Sequence, residues 1–374
     1  MFKKLFNDFI NKIDKVCNNF DRLTPAILLI LVIILVLLGI YMSFSATLII
    51  SGPKYLSKHI MFAVLGSFIF LFCGFVVDYK TYQKLKYPIF LSVIILLIVS
   101  LFFGHSAKGA VRWIPLPLGF RFQPSELVKI SLVIIMADFL ARKKKFINSG
   151  NNMIAPLLYI IIPCLLIGKQ DLGTVILISM TWLIMLFVSG LSWKKTLSTF
   201  AVLLVGYAVY IIMKPHRIKR VTDYIHSVFD IYSAHSNVKA ALVAFGSGGI
   251  FGKGPGGSEM KLKHLPEFHT DFIFPILGEE FGFIGALFTI SLFLSVFVCG
   301  LLITKNCKDE FGKHLAFGIT IIFFLQVMIN MGMTTGIIPT KGMTLPFISY
   351  GGTSMLTSMI ILGILFNIAK SGKR

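Results

Sequence analysis

From Ala26 to Pro53 the chain runs 28 residues without a charged side chain, and more than half of them are Ile, Leu or Val. A helix needs about 20 such residues to cross the hydrocarbon core of a bilayer. Backbone groups in lipid must find partners within their own structure, so a chain with this segment spans either as helices or as a closed barrel. No segment shows the alternating pattern of a barrel strand, and helices are expected. The first span is placed near Ala26–Ile49. Similar stretches follow at Ile60–Val77, Pro88–Phe103, a shorter one from Pro124 to Leu140, Met153–Ile167, Thr174–Ser189 and Thr196–Met213. After a polar stretch at 214–271 come Phe272–Ile303, Leu315–Ile338 and Leu345–Ala369.

Composition agrees. Of 374 residues, 56% are hydrophobic and 14% charged, where a soluble domain carries about 25% charged residues. The first 25 residues are polar and mixed in charge, and the apolar run behind them is too long for a secretory signal. The five cysteines show neither a CxxC nor a zinc spacing, and no structural disulfide is expected.

The net charge of +20 raises the question of nucleic acid, but the placement of the charges answers it. With the N-terminus in the cytoplasm, twenty Lys and Arg fall in the inside segments and seven in the short outside loops. That is the bias expected of a membrane protein. No folded cytosolic part remains to bind nucleic acid. The expected architecture is an all-α polytopic integral membrane protein of about ten transmembrane helices. Both termini are cytoplasmic, and a large extracytoplasmic loop joins the seventh and eighth helices. The whole of 1–374 reads as a single transmembrane domain, with 1–25 as a cytoplasmic segment and 214–271 as the outer loop.

Ionisable residues inside or beside spans are functional candidates, because insertion penalises them. Here the acids Glu126, Asp171, Asp271, Glu279 and Glu280 sit at the outer ends of spans. An enzyme working at the outer leaflet needs that arrangement, whereas a proton-coupled transporter more often places acids at the midplane. Four polar clusters contain them. In the first, Lys108, Arg112 and Trp113 precede Gln123-Pro-Ser-Glu126-Leu-Val-Lys129. Pro124 suits the first turn of a helix, and Glu126 and Lys129, three apart, share a face. They are either a self-satisfied ion pair or part of a site. Arg112 and Lys108 suit a diphosphate, and Trp113 suits interfacial anchoring. The second cluster, Gly168-Lys169-Gln170-Asp171-Leu-Gly173-Thr174, is a turn between spans that serves equally as a polar turn or as a site.

The third is the long loop. Apolar residues between Ile218 and Tyr232 recur with a helical period, as in a helix lying at the membrane surface. The Gly246–Gly257 run is not a nucleotide loop: Ser247 stands where Gly is required, and Gly254 replaces the Ser/Thr after Lys253. His264, Glu267, His269 and Asp271 follow within eight residues. Their spacing does not enforce a tetrahedral zinc site. Asp271 stands where the polar loop meets an apolar helix, and partial burial there would suit it to general-base work. The fourth cluster runs from Pro339 through Lys341, Pro346 and Ser349 to Ser354. Two prolines and paired glycines make irregular backbone at membrane depth, which is tolerated only inside protein or around a polar cavity.

Taken together, Arg112-Trp113-Ile, Gln-Pro-Ser-Glu-Leu-Val-Lys, Gln-Asp-Leu-Gly-Thr, Gly-Ser-Gly-Gly, Leu-Pro-Glu-Phe-His-Thr-Asp-Phe-Ile-Phe and Ser-Tyr-Gly-Gly-Thr-Ser resemble the signatures of the SEDS family (shape, elongation, division and sporulation). The resemblance covers almost the whole chain, and Pro339-Thr-Lys-Gly-Met-Thr-Leu-Pro-Phe looks more like the FtsW branch than RodA. It implies ten spans and a peptidoglycan glycosyltransferase that polymerises lipid II at the outer leaflet of the bacterial cytoplasmic membrane during cell division. It also implies a class B penicillin-binding protein and other division proteins as partners. The family's essential Asp maps to Asp271. Glu267, His269 and Ser349 lie in the motifs expected to meet substrate, with Arg112, Glu126, Lys129 and Lys341. Lys239-Ala240 stand where the family has Gln-Ser. Asp271 is the expected base, and Arg112, Lys129, Lys341 or a bound Mg²⁺ or Mn²⁺ would steady the leaving diphosphate. No nucleotide is needed. The alternatives are a lipid II flippase, a scaffold of the division machinery, and a RodA-like polymerase of elongation.

Overall fold

The computed structural model describes residues 2–47, 53–107, 110–116, 120–143, 154–168, 170–213, 218, 221–226, 236–263 and 269–371. All ten segments read as spans are helices. They are α1 (Phe2–Thr47), α2 (Pro53–Leu71), α4 (Lys86–Phe103), α5 (Pro124–Lys143), α6 (Ile154–Gly168), α7 (Leu172–Val188), α8 (Trp193–Ile212), α11 (Ile273–Asn306), α12 (Glu310–Thr334) and α13 (Gly352–Ser371). Short helices α3 (Tyr79–Lys84), α9 (Ser236–Gly248) and α10 (Met260–Lys263) lie between them. Among the described residues, seven helices are long and apolar enough to cross a membrane: α1, α2, α4, α8, α11, α12 and α13. At 15 and 17 residues, α6 and α7 are apolar but shorter. The chain is an all-α multi-pass membrane protein.

The remaining helix, α5, owes its place to its charges. Every residue from Val128 to Leu140 is buried, because α4, α6, α7 and α12 surround it. Shielded from lipid, it can carry Glu126 and Lys129 at one end and Asp138 at the other. Asp138 pairs with Lys86 at 2.8 Å, accepts from Gln83 at 3.0 Å and also pairs with Arg142. Pro124 does open the helix, as its lack of an N–H allows.

Helix α1 runs unbroken from Phe2 through the polar segment 1–25 into the first span. The outer loop after α4 is a small antiparallel sheet: β1 (His105–Ala107) pairs with β2 (Ala110–Leu116), which pairs with β3 (Phe120–Phe122). Helix α2 ends in a single π turn at Phe72–Val76. The frayed backbone there is met by Asn367 of α13, which donates to the Gly74 carbonyl at 3.1 Å and accepts from the Tyr79 N–H at 3.0 Å. The last helix starts at Gly352, seven residues later than expected, and 335–351 is irregular. In the long loop, α9 docks against α11 and α12 through Val238, Ala241, Ala244 and Gly248. The surface-helix expectation rested on Ile218, Val221, Ile225, Val228, Phe229 and Tyr232; residues 221–226 are helical, with Ile218 and Ile225 exposed, whereas Val228, Phe229 and Tyr232 lie outside the described residues.

Helix α11 is two helices joined at Gly282, whose φ of 68° and ψ of −164° are not helical. The first part, Ile273–Glu280, is buried throughout. The glycine-rich loop pairs with the break: Lys253 N–H donates to the Glu279 carbonyl at 2.9 Å, Gly254 N–H to Glu280 at 3.0 Å, and Phe283 N–H to Gly249 at 2.9 Å. A Cβ on Gly252 would sit 2.2 Å from the Glu280 carbonyl oxygen, and one on Gly282 would sit 2.3 Å from the Gly252 nitrogen. Both residues also have positive φ, which a side chain disfavours. The glycines therefore lock the base of the long loop onto α11.

Candidate active site

The irregular segment 335–351 is where the four clusters meet. Its backbone cannot satisfy itself, and polar side chains from neighbouring helices do so. Two of these came from an unexpected source, the apolar helix α12. Gln326 donates through Nε2 to the Thr344 carbonyl at 3.1 Å. Asn330, one turn further on and 0% exposed, donates to the Met343 carbonyl at 2.6 Å and to the Asp271 carbonyl at 3.0 Å. Ser349 Oγ accepts from the Leu345 N–H at 2.8 Å and donates to the Thr270 carbonyl, while the Tyr350 N–H donates to the His269 carbonyl at 2.8 Å. The segment also holds strain. Phe347, 1% exposed, has φ of 66°, an uncommon conformation for a bulky residue. Gly39 of α1 permits it, since a Cβ there would lie 2.1 Å from the Phe347 carbonyl oxygen.

Asp271 thus stands in a short turn whose backbone is tied on both sides to 343–350. The N-cap of α11 is Phe272, so Asp271 is one position ahead of the capping site.

Glu126 and Lys129 form a close ion pair at 2.6 Å, and Lys129 is 1% exposed. The lysine also donates to Gln326 Oε1 at 2.8 Å, so the first cluster reaches the fourth through α12. A second link joins Gln123 N–H to Thr353 Oγ1 at 3.2 Å. Asp171 is buried at the N-cap of α7, accepting from the Thr174 N–H at 3.1 Å and its hydroxyl at 3.0 Å. Beside it, Lys341 is held down to about 8 by burial, opposed by the charge of Asp171. A Cβ on Gly173 would meet both Asp171 Oδ1 and Lys341 Cβ, so the second cluster serves as the seat of this lysine.

The His269 ring packs 5.4 Å from Tyr55 and 6.2 Å from Tyr350, centre to centre. The backbone of Arg112 lies in β2, which packs on α5. The Arg112 side chain lies outside the described residues, as do Lys108, Lys169, His264 and Glu267. Among the described residues no group of three or more His, Cys, Asp or Glu is placed to hold a metal ion.

Glu279 and Glu280 are not free for chemistry. Both are fully buried. Glu279 accepts from Lys253 at 2.9 Å, from Ser247 at 3.0 Å and from the Glu259 N–H at 3.2 Å. Glu280 pairs with the buried Lys261 at 2.8 Å and accepts from Ser45 of α1. These acids anchor the long loop to α11 and α1. The turn bearing Asp271 is tied to the segment that carries Lys341, and Lys129 lies one amide away from the same segment.

The sequence and the overall fold both have relatives. The profile of the FtsW/RodA/SpoVE family, described as cell cycle proteins, matches residues 25–374. A protein of Geobacter sp. (strain M18) bearing the name "Probable peptidoglycan glycosyltransferase FtsW" is 35% identical over 353 residues, covering 92% of this chain and 96% of its own. Among solved structures, a chain of a peptidoglycan synthase complex that coordinates polymerization and crosslinking aligns with a TM-score of 0.77 at 25% identity, covering 92% of this chain and 96% of that one. A variant of the rod shape determining protein RodA of Thermus thermophilus aligns at 0.70 and 25% identity, over 93% and 97%. The chain belongs to the FtsW/RodA/SpoVE family.

Proposed function

We propose that this protein is a peptidoglycan glycosyltransferase that polymerises lipid II into glycan strands during division, at the outer leaflet of the bacterial cytoplasmic membrane. The observation that carries the reading is the tie between Asp271 and the segment bearing Lys341, with Lys129 one amide away. A carboxylate and two cations near one backbone segment suit the displacement of a sugar from a lipid diphosphate. The FtsW name of the Geobacter relative supports the division role.

The acceptor sugar hydroxyl is a weak nucleophile. Asp271 accepts its proton as the oxygen attacks the anomeric carbon of the donor, help that is typically worth about 10²–10⁴-fold. The bond from that carbon to the diphosphate oxygen breaks, and the electron pair leaves with the lipid diphosphate. Lys129, Lys341 and Arg112 stabilise the charge that develops there. Direct displacement on an α-linked donor gives a β-linked strand. Glu126 pairs with Lys129 and holds it in its buried position, and Glu267, His269 and Ser349 shape the approach to Asp271.

The protein is oriented with both termini in the cytoplasm and the 214–271 loop outside, as the basic residues require. Its partner is a class B penicillin-binding protein, which would cross-link the strands made here. Incubating the purified protein with labelled lipid II, with and without that partner, tests the reading. Ladders of glycan strands on a gel are expected. Transfer of lipid II between leaflets without any polymer would make it a flippase instead.

A further inference from the structure

Gln326 and Asn330 are four residues apart on α12, so their side chains leave one face about 6 Å from each other along the axis. Each is nine-tenths buried or more. Their donors reach the carbonyls of consecutive residues, Thr344 and Met343. Each amide then makes a second bond to the proposed machinery: Gln326 Oε1 accepts from Lys129 at 2.8 Å, and Asn330 Nδ2 donates to the Asp271 carbonyl at 3.0 Å. The orientation of both amides is fixed by chemistry. A carbonyl cannot donate, so reversing Asn330 would set Oδ1 against two carbonyl oxygens, and reversing Gln326 would set its NH₂ against an ammonium.

We propose that this amide pair consists of positioning residues. It uses the rigid repeat of α12 to hold the base-bearing turn at Asp271 and the cation Lys129 at a set offset about the 343–344 backbone. The inference rests on the reading of Asp271 as general base. Neither amide touches the reacting atoms. Their effect passes through the placement of Asp271 and Lys129, where a misplacement of about 1 Å costs on the order of 10²-fold in rate.

The test is steady-state polymerisation of labelled lipid II by purified Asn330→Ala, alone and combined with Asp271→Asn. The expected result is a kcat lower by roughly 10–100-fold, with KM within about twofold and normal membrane yield. The Asp271 carbonyl survives in Asp271→Asn, so a merely bracing Asn330 would cost the double variant the same factor again. A positioning Asn330 adds nothing once the base is gone, because residues that act as a unit are not additive. If the Ala variant is lost from the membrane, Asn330→Ser keeps one donor and is expected to fold with an intermediate kcat. A folded Asn330→Ala or Asn330→Ser with wild-type kcat overturns the inference, as do additive losses or loss of folded protein in both. Near-wild-type activity of Asp271→Asn alone would instead overturn the assignment of the base.

Discussion

Replacing Glu126 by Gln removes one charge from an ion pair that α5 buries on every side. Lys129 is then left at 1% exposure with Gln326 Oε1 at 2.8 Å as its remaining anchor outside its own helix. Removing one partner of a buried pair typically costs about 3–5 kcal/mol, whereas removing both is often nearly neutral. Total stabilities are about 5–15 kcal/mol, so the single variant should melt far below wild type. The double variant Glu126→Gln with Lys129→Met should recover most of the difference. Thermal unfolding in detergent, followed by intrinsic fluorescence, measures this. The same preparations separate bracing from catalysis. If Lys129 stabilises the departing diphosphate, the double variant is folded but polymerises lipid II at least tenfold more slowly, a loss of about 1.4 kcal/mol of transition-state stabilisation. A double variant that is both stable and fully active would refute the role given to Lys129. An unchanged melting temperature in Glu126→Gln would refute the burial argument itself.

Lys341 should set an alkaline limit. Burial brings its pKa down to about 8, so its positive charge is present below that pH and is lost as pH rises through it. Polymerisation should fall with a midpoint near pH 8, and Lys341→Arg, which stays charged, should move the limb upward; identical limbs in both proteins would exclude Lys341 as the titrating group. Orientation is open to labelling. In a cysteine-free background, Glu259→Cys should react with an impermeant thiol reagent in intact spheroplasts and Lys305→Cys only after lysis, both positions being exposed; the reverse pattern would invert the topology.

The ten helices were readable because lipid leaves so few options: a charge-free run of sufficient length can do little but span. The pairing of Glu126 with Lys129 was readable from a spacing of three, but its burial was not, because that depends on the four helices packed around α5. The sheet at 105–122 escaped notice since its strands are three to seven residues long and sit between strong helical signals. The break at Gly282 was hidden because the helical pattern continues on both sides; it appears only when the glycine-rich loop is laid against it. Glu279 and Glu280 stood out as acids, yet their partners Lys253 and Lys261 come from a loop whose path no local pattern dictates. Gln326 and Asn330 were missed because an uncharged amide in an apolar span is easily taken for a tolerated polar residue. Their weight comes from the irregular 343–350 backbone, whose carbonyls need donors that lipid cannot provide. Asp271 was singled out by its position at the end of a polar loop and by resemblance, and its tie to Met343 through Asn330 depends on tertiary structure alone.

The central claim is that Asp271 takes the proton of the acceptor hydroxyl, and Asp271→Asn tests it most directly. Asn keeps the size and the backbone carbonyl that Asn330 holds, so the variant should reach the membrane and melt as wild type does. An amide cannot accept the proton, so chain formation from labelled lipid II, measured at matched protein level, should fall by about 10²–10⁴-fold. Glycan strands made by Asp271→Asn at near the wild-type rate would contradict the account.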